Sequence, residues 1–387
     1  MSNLRKWVGR SAVAVAAMAP LTAVASPAFA ITNHSDHAGA VVAAAGSDST
    51  EEFMSRYLSG AGDHNIPSQP TASYGVPGDA ACGARTYTGA RPVPAGQTAA
   101  PGGSTSGLAA LLAEPGCIDI ARSAQGPRPD EASDLNFWAY GLDYITWATS
   151  SPFAPPGLTI QQLREIYRCA PAADNWAEVG GLNAPITPFL PPADSAVADF
   201  FGRVVLGPTV TIGSCVKRTA RPNSGRDMAL TGSDHPHAIV PYATSNWIFQ
   251  DINKANASLD VRNGFRLGGL QNVCGKAAVT SGAVYNGAAR RWLPNTPALS
   301  STGIISETNA FTALTQNSSG CGVTFVANVT RVGAPQQALA EQLIGAGSEL
   351  CTGAAASQLS GAGIVALPAG PGIPNGVGVG TCRLYAT

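Results

Sequence analysis

Charge is scarce in this 387-residue chain. Asp, Glu, Lys and Arg make up 12% of it, roughly half the ~25% of an ordinary soluble domain. The formal net charge is −1, so the basic excess of a polyanion binder is missing and general nucleic-acid binding is excluded. There are five histidines. No G-x-S-x-G elbow, H-E-x-x-H pair or P-loop pattern occurs. No two cysteines stand at C-x-x-C spacing, which argues against a structural zinc site. Heptads, a collagen period and a 20–50-residue repeat are also lacking. Beyond the first 30 residues no apolar run approaches the ~20 residues a bilayer requires.

What is present suits a folded extracytoplasmic protein. Hydrophobic residues are 45%, enough for full cores. The length gives a prior of about two to three domains. The 44 glycines and 29 prolines imply many turns, below the ~25–30% share of low-complexity disorder. Residues 1–30 read as a secretory signal peptide. Arg5, Lys6 and Arg10 form the positive segment, Ser11 to Ser26 is small and apolar, and Ala28-Phe29-Ala30 is an A-x-A cleavage site. Cleavage after Ala30 leaves 20 basic against 24 acidic residues, a charge of −4, with no cysteine placed for a lipid anchor. A secreted product is expected. The eight cysteines (82, 117, 169, 215, 274, 321, 351, 382) are an even number and predict disulfides, with the pairing open. N-x-S/T sequons occur at Asn33, Asn256, Asn317 and Asn328.

Along the chain, short apolar strands alternate with capped helices. Val41–Ala45 reads as a buried strand, and Ser49-Thr50-Glu51-Glu52 as a capping box before a helix. After a Gly/Pro-rich excursion over 66–101, Gly102–Gly107 opens a second helix, and Cys117–Ala121 is a strand ending at Arg122-Ser123. Asn136–Thr149 supplies one or two strands. Ser150–Gly157 is the best internal boundary, followed by a second capping box, Thr159 to Gln162. Helices are expected near 194–205 and 336–344, and strands near 238–242, 323–329 and 363–367. The alternation predicts an α/β fold with mainly parallel sheets.

Three turns share one chemistry: Ser47–Thr50, Ser104–Gly107 and Asn223–Arg226. Each offers hydroxyls, backbone N–H groups and glycine where a helix is expected to begin, while Arg122, Arg221 and Arg226 add positive charge. Turned toward one cleft at strand carboxyl ends, they would hold a small oxyanion. Taken singly, each is also an ordinary cap. Asp234-His235-Pro236-His237 could hold a zinc ion but reads first as a solvated turn beside a cleft, and the tryptophans read mostly as core.

GSDST (46–50), GGSTSG (102–107), DIARS (119–123), LTIQQLREIY (158–167), RPNSGR (221–226) and AIVPYA (238–243) occur in an order that resembles the phosphate-binding protein of bacterial phosphate ABC transporters. More broadly, the chain is similar to type 2 periplasmic binding proteins, in an actinobacterial secreted variant. The likeness spans most of 39–387 and is firmest over 41–245. It implies a two-lobed α/β fold with the ligand cleft between lobes: lobe 1 from 39–150 plus 251–387, lobe 2 inserted as 151–250. Two strands cross between the lobes. The implied ligand set is Ser49 and Thr50 from the first loop, Ser104 or Thr105 from the second, Arg122 and Ser123 after the strand, and Arg221, Ser224 and Gly225 from the last. Arg226 stands where threonine is usual, and the arginine-to-serine spacing is shorter. The family places an aspartate after the strand that here ends in Arg122-Ser123. That aspartate accepts the proton of monohydrogen phosphate, and Asp48 is the candidate replacement. Without an acceptor the site would suit sulfate, an organic acid or a phosphoester.

The resemblance implies a monomeric binding protein without cofactor or catalysis, with a small anion as ligand and an ABC permease as partner. A secreted hydrolase using the same cleft and a surface or adhesion module remain open on the residues alone.

Overall fold

The computed structural model describes residues 42–58, 71–73, 103–113, 118–127, 133–193, 195–219, 221–230, 232–257, 259–271, 284–286, 291–293, 322–370 and 376–386. The expected leader, Cys82, Cys117, Cys274 and Cys321, and the sequons at Asn33 and Asn317 lie outside them, as does nearly all of 66–101. No helix of the described residues is long and apolar enough to cross a membrane.

The expected first strand is β1, Val42–Gly46, five residues with Val42, Ala44 and Ala45 buried. It pairs in parallel with β2, Thr71–Ser73, and with β3, Ile120–Ser123. Helix α1, Glu51–Leu58, and helix α2, Ser104–Ala113, follow the first and second predicted turns. On α1, Phe53, Met54, Tyr57 and Leu58 recur on one face and are buried. The Tyr57 hydroxyl donates to the Leu343 carbonyl at 2.8 Å, tying α1 to the helix Gln337–Ile344.

One long strand organises the rest. The run Asn136–Thr149, read as one or two strands, is a single 15-residue strand, β4, Leu135–Thr149. Its partners change along its length. β12, Val323–Arg331, pairs residues Leu135 to Tyr144, and β8, Ala238–Ala243, pairs Ile145 to Thr149, both antiparallel. β13 (Val365–Ala366) and β15 (Cys382–Ala386) join the first half, and β15 also pairs β14 (Val377–Val379). β9 (Arg266–Gln271) joins the second half and pairs in parallel with β5 (Gly157–Thr159). Beyond β8 lie β6 (Thr187–Leu190) and β7 (Lys217–Arg218), so the main path is β2-β1-β3-β12-β4-β8-β6-β7. A separate hairpin joins β10 (Val284–Asn286) and β11 (Arg291–Leu293).

The sheet is therefore parallel toward its two ends and antiparallel around β4. This corrects the mainly parallel expectation. All the partners of β4, which are β8, β9, β12, β13 and β15, run antiparallel to it.

Local signals held where chemistry was specific. Thr159 caps α3, Ile160–Arg168: its Oγ1 accepts the Gln162 N–H at 3.1 Å, and Gln162 Oε1 accepts the Thr159 N–H at 2.9 Å. The 194–205 segment is a helix α4, Ala196–Phe200, continuing as a π-helical turn Phe201–Leu206. Cys169 pairs with Cys215 and Cys351 with Cys382. Asn256 is exposed, whereas Asn328 is wholly buried in β12 and out of reach of any glycosylating enzyme in the folded state.

Candidate functional site

The first predicted turn is built on a close approach of three chain segments. Gly46 ends β1 with φ +125°, opposite Arg122 of β3. A Cβ on Gly46 would overlap the Arg122 carbonyl, and one on Gly107 of α2 would overlap the Gly46 Cα, so both positions require glycine. Arg122 Nη2 donates to the Gly46 carbonyl at 2.8 Å, and the Ser47 N–H donates to the Arg122 carbonyl at 2.9 Å. The Arg122 side chain is wholly buried.

Within the turn the hydroxyls take different roles from those expected. Ser49 does not cap α1. Ser47 Oγ accepts the Ser49 N–H at 3.3 Å, and the Ser47 carbonyl accepts both the N–H and the hydroxyl of Thr50. The Ser47 side chain instead caps the 3₁₀ turn Asp48–Thr50, which leads into α1. Ser49 is 6% exposed, and its Oγ has no hydrogen-bond partner among the described residues. Of Asp48 the backbone is described; its side chain is not.

The second turn is pinned to the end of β3. Ser104 Oγ accepts the Ala124 N–H at 2.9 Å, and Ser104 is fully buried at the start of α2. Thr105 is exposed. Ser123 Oγ donates to the Gln125 carbonyl at 2.7 Å and accepts the Gln125 N–H, so this hydroxyl closes its own turn.

Three residues that the sequence reading passed over complete the neighbourhood. The pairing of β4 with β12 shifts register at Val326/Ala327, whose partners are Gly141 and Ala139. Tyr140 is the extra residue of that bulge, and a bulge re-aims its side chain. Its ring stacks on Phe53 of α1 at 5.6 Å. Burial pushes its phenol up, the Thr50 hydroxyl and the Arg122 guanidinium pull it back, and Asp143 pushes it further. Asp143 is the one acid in an otherwise uncharged strand, a signal the sequence did carry. Its Oδ1 accepts the N–H groups of Tyr144 (2.7 Å) and Ser245 (3.0 Å), and its Oδ2 accepts the Ser245 hydroxyl at 2.6 Å. Burial raises its pKa from 3.8 to about 6 against these three donors. Ser245 belongs to helix α5, Thr244–Ile252, and its hydroxyl also lies 3.4 Å from the Ser49 carbonyl.

The third turn reaches the same junction by another route. Asn223, at φ +53°, accepts the Ala243 N–H on its Oδ1 at 2.7 Å, and its carbonyl accepts the Tyr242 hydroxyl and the Gln250 amide. The turn thus sits against the joint of β8 and α5, two residues from Ser245. Its own donors point elsewhere: the Gly225 and Arg226 N–H groups both donate to the Val261 carbonyl, and Arg226 Nη1 donates to Ala257. The Arg221 N–H is held by Asp227. A Cβ on Gly225 would overlap the Arg262 carbonyl. Ser224 is half-buried. The structure therefore brings Ser49, Thr50 and Arg122 together with Tyr140, Asp143 and Ser245. Ser104 and Ser123 stand beside them with engaged hydroxyls, and the Arg221–Arg226 turn is buttressed behind the β8–α5 joint.

The arrangement offers buried positive charge and hydroxyls where β1 and β3 end and two helices begin. It contains a carboxylate–hydroxyl pair but no imidazole in that set. His235 lies apart, in the 3₁₀ segment Gly232–His237, bonded to Asn263. No group of three or more His, Cys, Asp or Glu among the described residues could hold a metal ion.

Comparison with known proteins agrees with the architecture. A family model described as a PBP superfamily domain matches residues 32–259. None of the curated proteins matches the chain. Among solved structures, one from Clostridium perfringens, described as the substrate-binding protein of a phosphate ABC transporter with bound phosphate, aligns with a TM-score of 0.52 at 13% identity. It covers 84% of this chain and 99% of its own. An ABC-type phosphate transport receptor from Vibrio cholerae aligns at 0.48 and 15% identity, covering 84% and 99%. At such identities the likeness is one of fold.

Proposed function

The chain belongs to the PBP superfamily, and from that premise we propose that it is a secreted solute-binding protein that grips a small oxyanion, phosphate first, between two α/β lobes. The observation that carries this reading is a wholly buried Arg122 side chain bonded to Gly46 at the end of β1, three residues before a buried Ser49 hydroxyl that has no partner among the described residues. An unpartnered buried hydroxyl costs roughly 1–3 kcal/mol. A bound anion oxygen would satisfy it, and the guanidinium would add charge in a medium where charge counts for more. The proposed ligand set is Ser49, Thr50 and Arg122; Ser104, Ser123 and the Arg221–Arg226 turn, whose polar groups are largely engaged within the protein, support the neighbourhood.

The partner switch on β4 at Tyr144–Ile145 supports the division into lobes. The parallel pairing of β5 with β9 supports carrying the inserted lobe from about Ser150 to Gln271 rather than to 250. The disulfides fit an oxidising compartment. The function is binding without catalysis, in the service of an ABC permease that must capture a released receptor. A ligand that binds only the native state raises its melting temperature. The test is thermal unfolding with phosphate, sulfate and a phosphomonoester: a rise with phosphate supports the reading, and no rise with any of them rejects it.

A further inference from the structure

Tyr140 carries a hydroxyl that its surroundings do not use. It is the extra residue between Ala139 and Gly141 on β4, where the pairing with β12 shifts register. It is buried in one apolar cluster with Phe53, Met54, Tyr57 and Trp138. The ring stacks on Phe53 at 5.6 Å, and Phe53 stacks on Tyr57 at 5.8 Å. A phenylalanine would make all of those contacts. The hydroxyl makes no hydrogen bond among the described residues. The groups that act on it electrostatically are Thr50, three residues before Phe53, together with the Arg122 guanidinium and Asp143. Asp143 is already engaged by three donors from Tyr144 and Ser245. Ser49, next to Thr50 in the chain, holds another buried hydroxyl with no partner among the described residues.

We infer that the Tyr140 hydroxyl is a further ligand of the anion, donating its hydrogen to an anion oxygen. This rests on the anion-binding reading above. Around Thr50 the protein then presents the O–H groups of Ser49 and Tyr140 and the guanidinium of Arg122, all of them donors, and a guest that carries acceptor oxygens completes the set. Thr50 itself donates to the Ser47 carbonyl. Ionisation of the phenol would destroy the donor and set a negative charge against the guest. Burial, the largest influence on this group, prevents that by pushing its ionisation far above the ordinary range, against the pull of Thr50 and Arg122. A hydroxyl buried without an acceptor destabilises the empty protein, and donation to an anion removes that penalty.

The test is titration calorimetry with inorganic phosphate on the wild type and Tyr140→Phe, with the melting temperature of each measured without phosphate. Y140F keeps the ring and its stacking and removes one oxygen. Phosphate affinity should fall roughly 10–100-fold, the worth of one hydrogen bond to a charged group. The unliganded melting temperature should hold or rise, since no bond of the protein is lost. The rise in melting temperature that phosphate gives should shrink in step. An unchanged affinity removes Tyr140 from the ligand set, and a lower unliganded melting temperature makes its hydroxyl an internal bond of the fold; either result overturns the inference and leaves the anion-binding reading standing. No heat with phosphate in the wild type overturns both together.

Discussion

Ser49 and Asp143 are two buried polar residues with opposite settings, and each makes a prediction. Ser49 Oγ has no partner among the described residues, so Ser49→Ala removes a desolvated hydroxyl and breaks no bond of that group. The variant should melt at or above the wild-type temperature while phosphate affinity falls roughly 10–100-fold, the worth of a hydrogen bond to a charged group. A fall in both would mean that Ser49 is structural. Asp143 has its pKa raised to about 6 by burial, so the folded state holds its proton more tightly than the unfolded chain does. Its contribution to stability is complete below the ordinary carboxylate range and is lost as pH rises toward 6, by an amount on the order of 3 kcal/mol at most. Asp143→Asn cannot titrate. Denaturant unfolding of the two proteins from pH 4 to 7 should show the variant gaining on the wild type up to about pH 6 and running parallel above it; a constant difference throughout would contradict the assignment.

At the scale of elements, what was legible followed from local chemistry. The Thr159–Gln162 box was read from four residues because both of its bonds lie within them; Thr159→Ala should destabilise the fold by about 1 kcal/mol in chemical unfolding. The same pattern at Ser49–Glu52 misled, because Ser49 lies inside the 3₁₀ turn Asp48–Thr50 and not in the extended conformation of a cap. The two described disulfides close 46 and 31 residues of sequence separation. Cys351→Ser with Cys382→Ser should cost ~2–4 kcal/mol, more than the cap, by freeing the unfolded chain of a crosslink. The roles of Tyr140 and Ser245 were not legible. Tyr140 acquires its place from a bulge whose partner residues lie about 190 positions away in sequence, and Ser245 meets Asp143 only because β8 returns alongside β4. Pairings of that range leave no local periodicity to read.

At the scale of the molecule, the sequence order of six short segments sufficed for the family, and the superfamily match over 32–259 agrees. The long strand β4 was visible as a run of aromatic and β-branched residues. Its antiparallel setting was not, since direction is decided by the return of β8 and β12. If Tyr144–Ile145 marks the joint between lobes, phosphate should draw them together. Small-angle scattering should then show a smaller radius of gyration with phosphate than without, and an unchanged radius would make the site a preformed one.

The most direct test of the central claim is a phosphate titration by calorimetry on the wild type beside Arg122→Met, which keeps an unbranched side chain and removes the charge. The account predicts saturable heat at one site per chain in the wild type and none in a variant that circular dichroism shows to be folded. Equal binding in the two proteins would place the anion away from Arg122 and contradict the site proposed here.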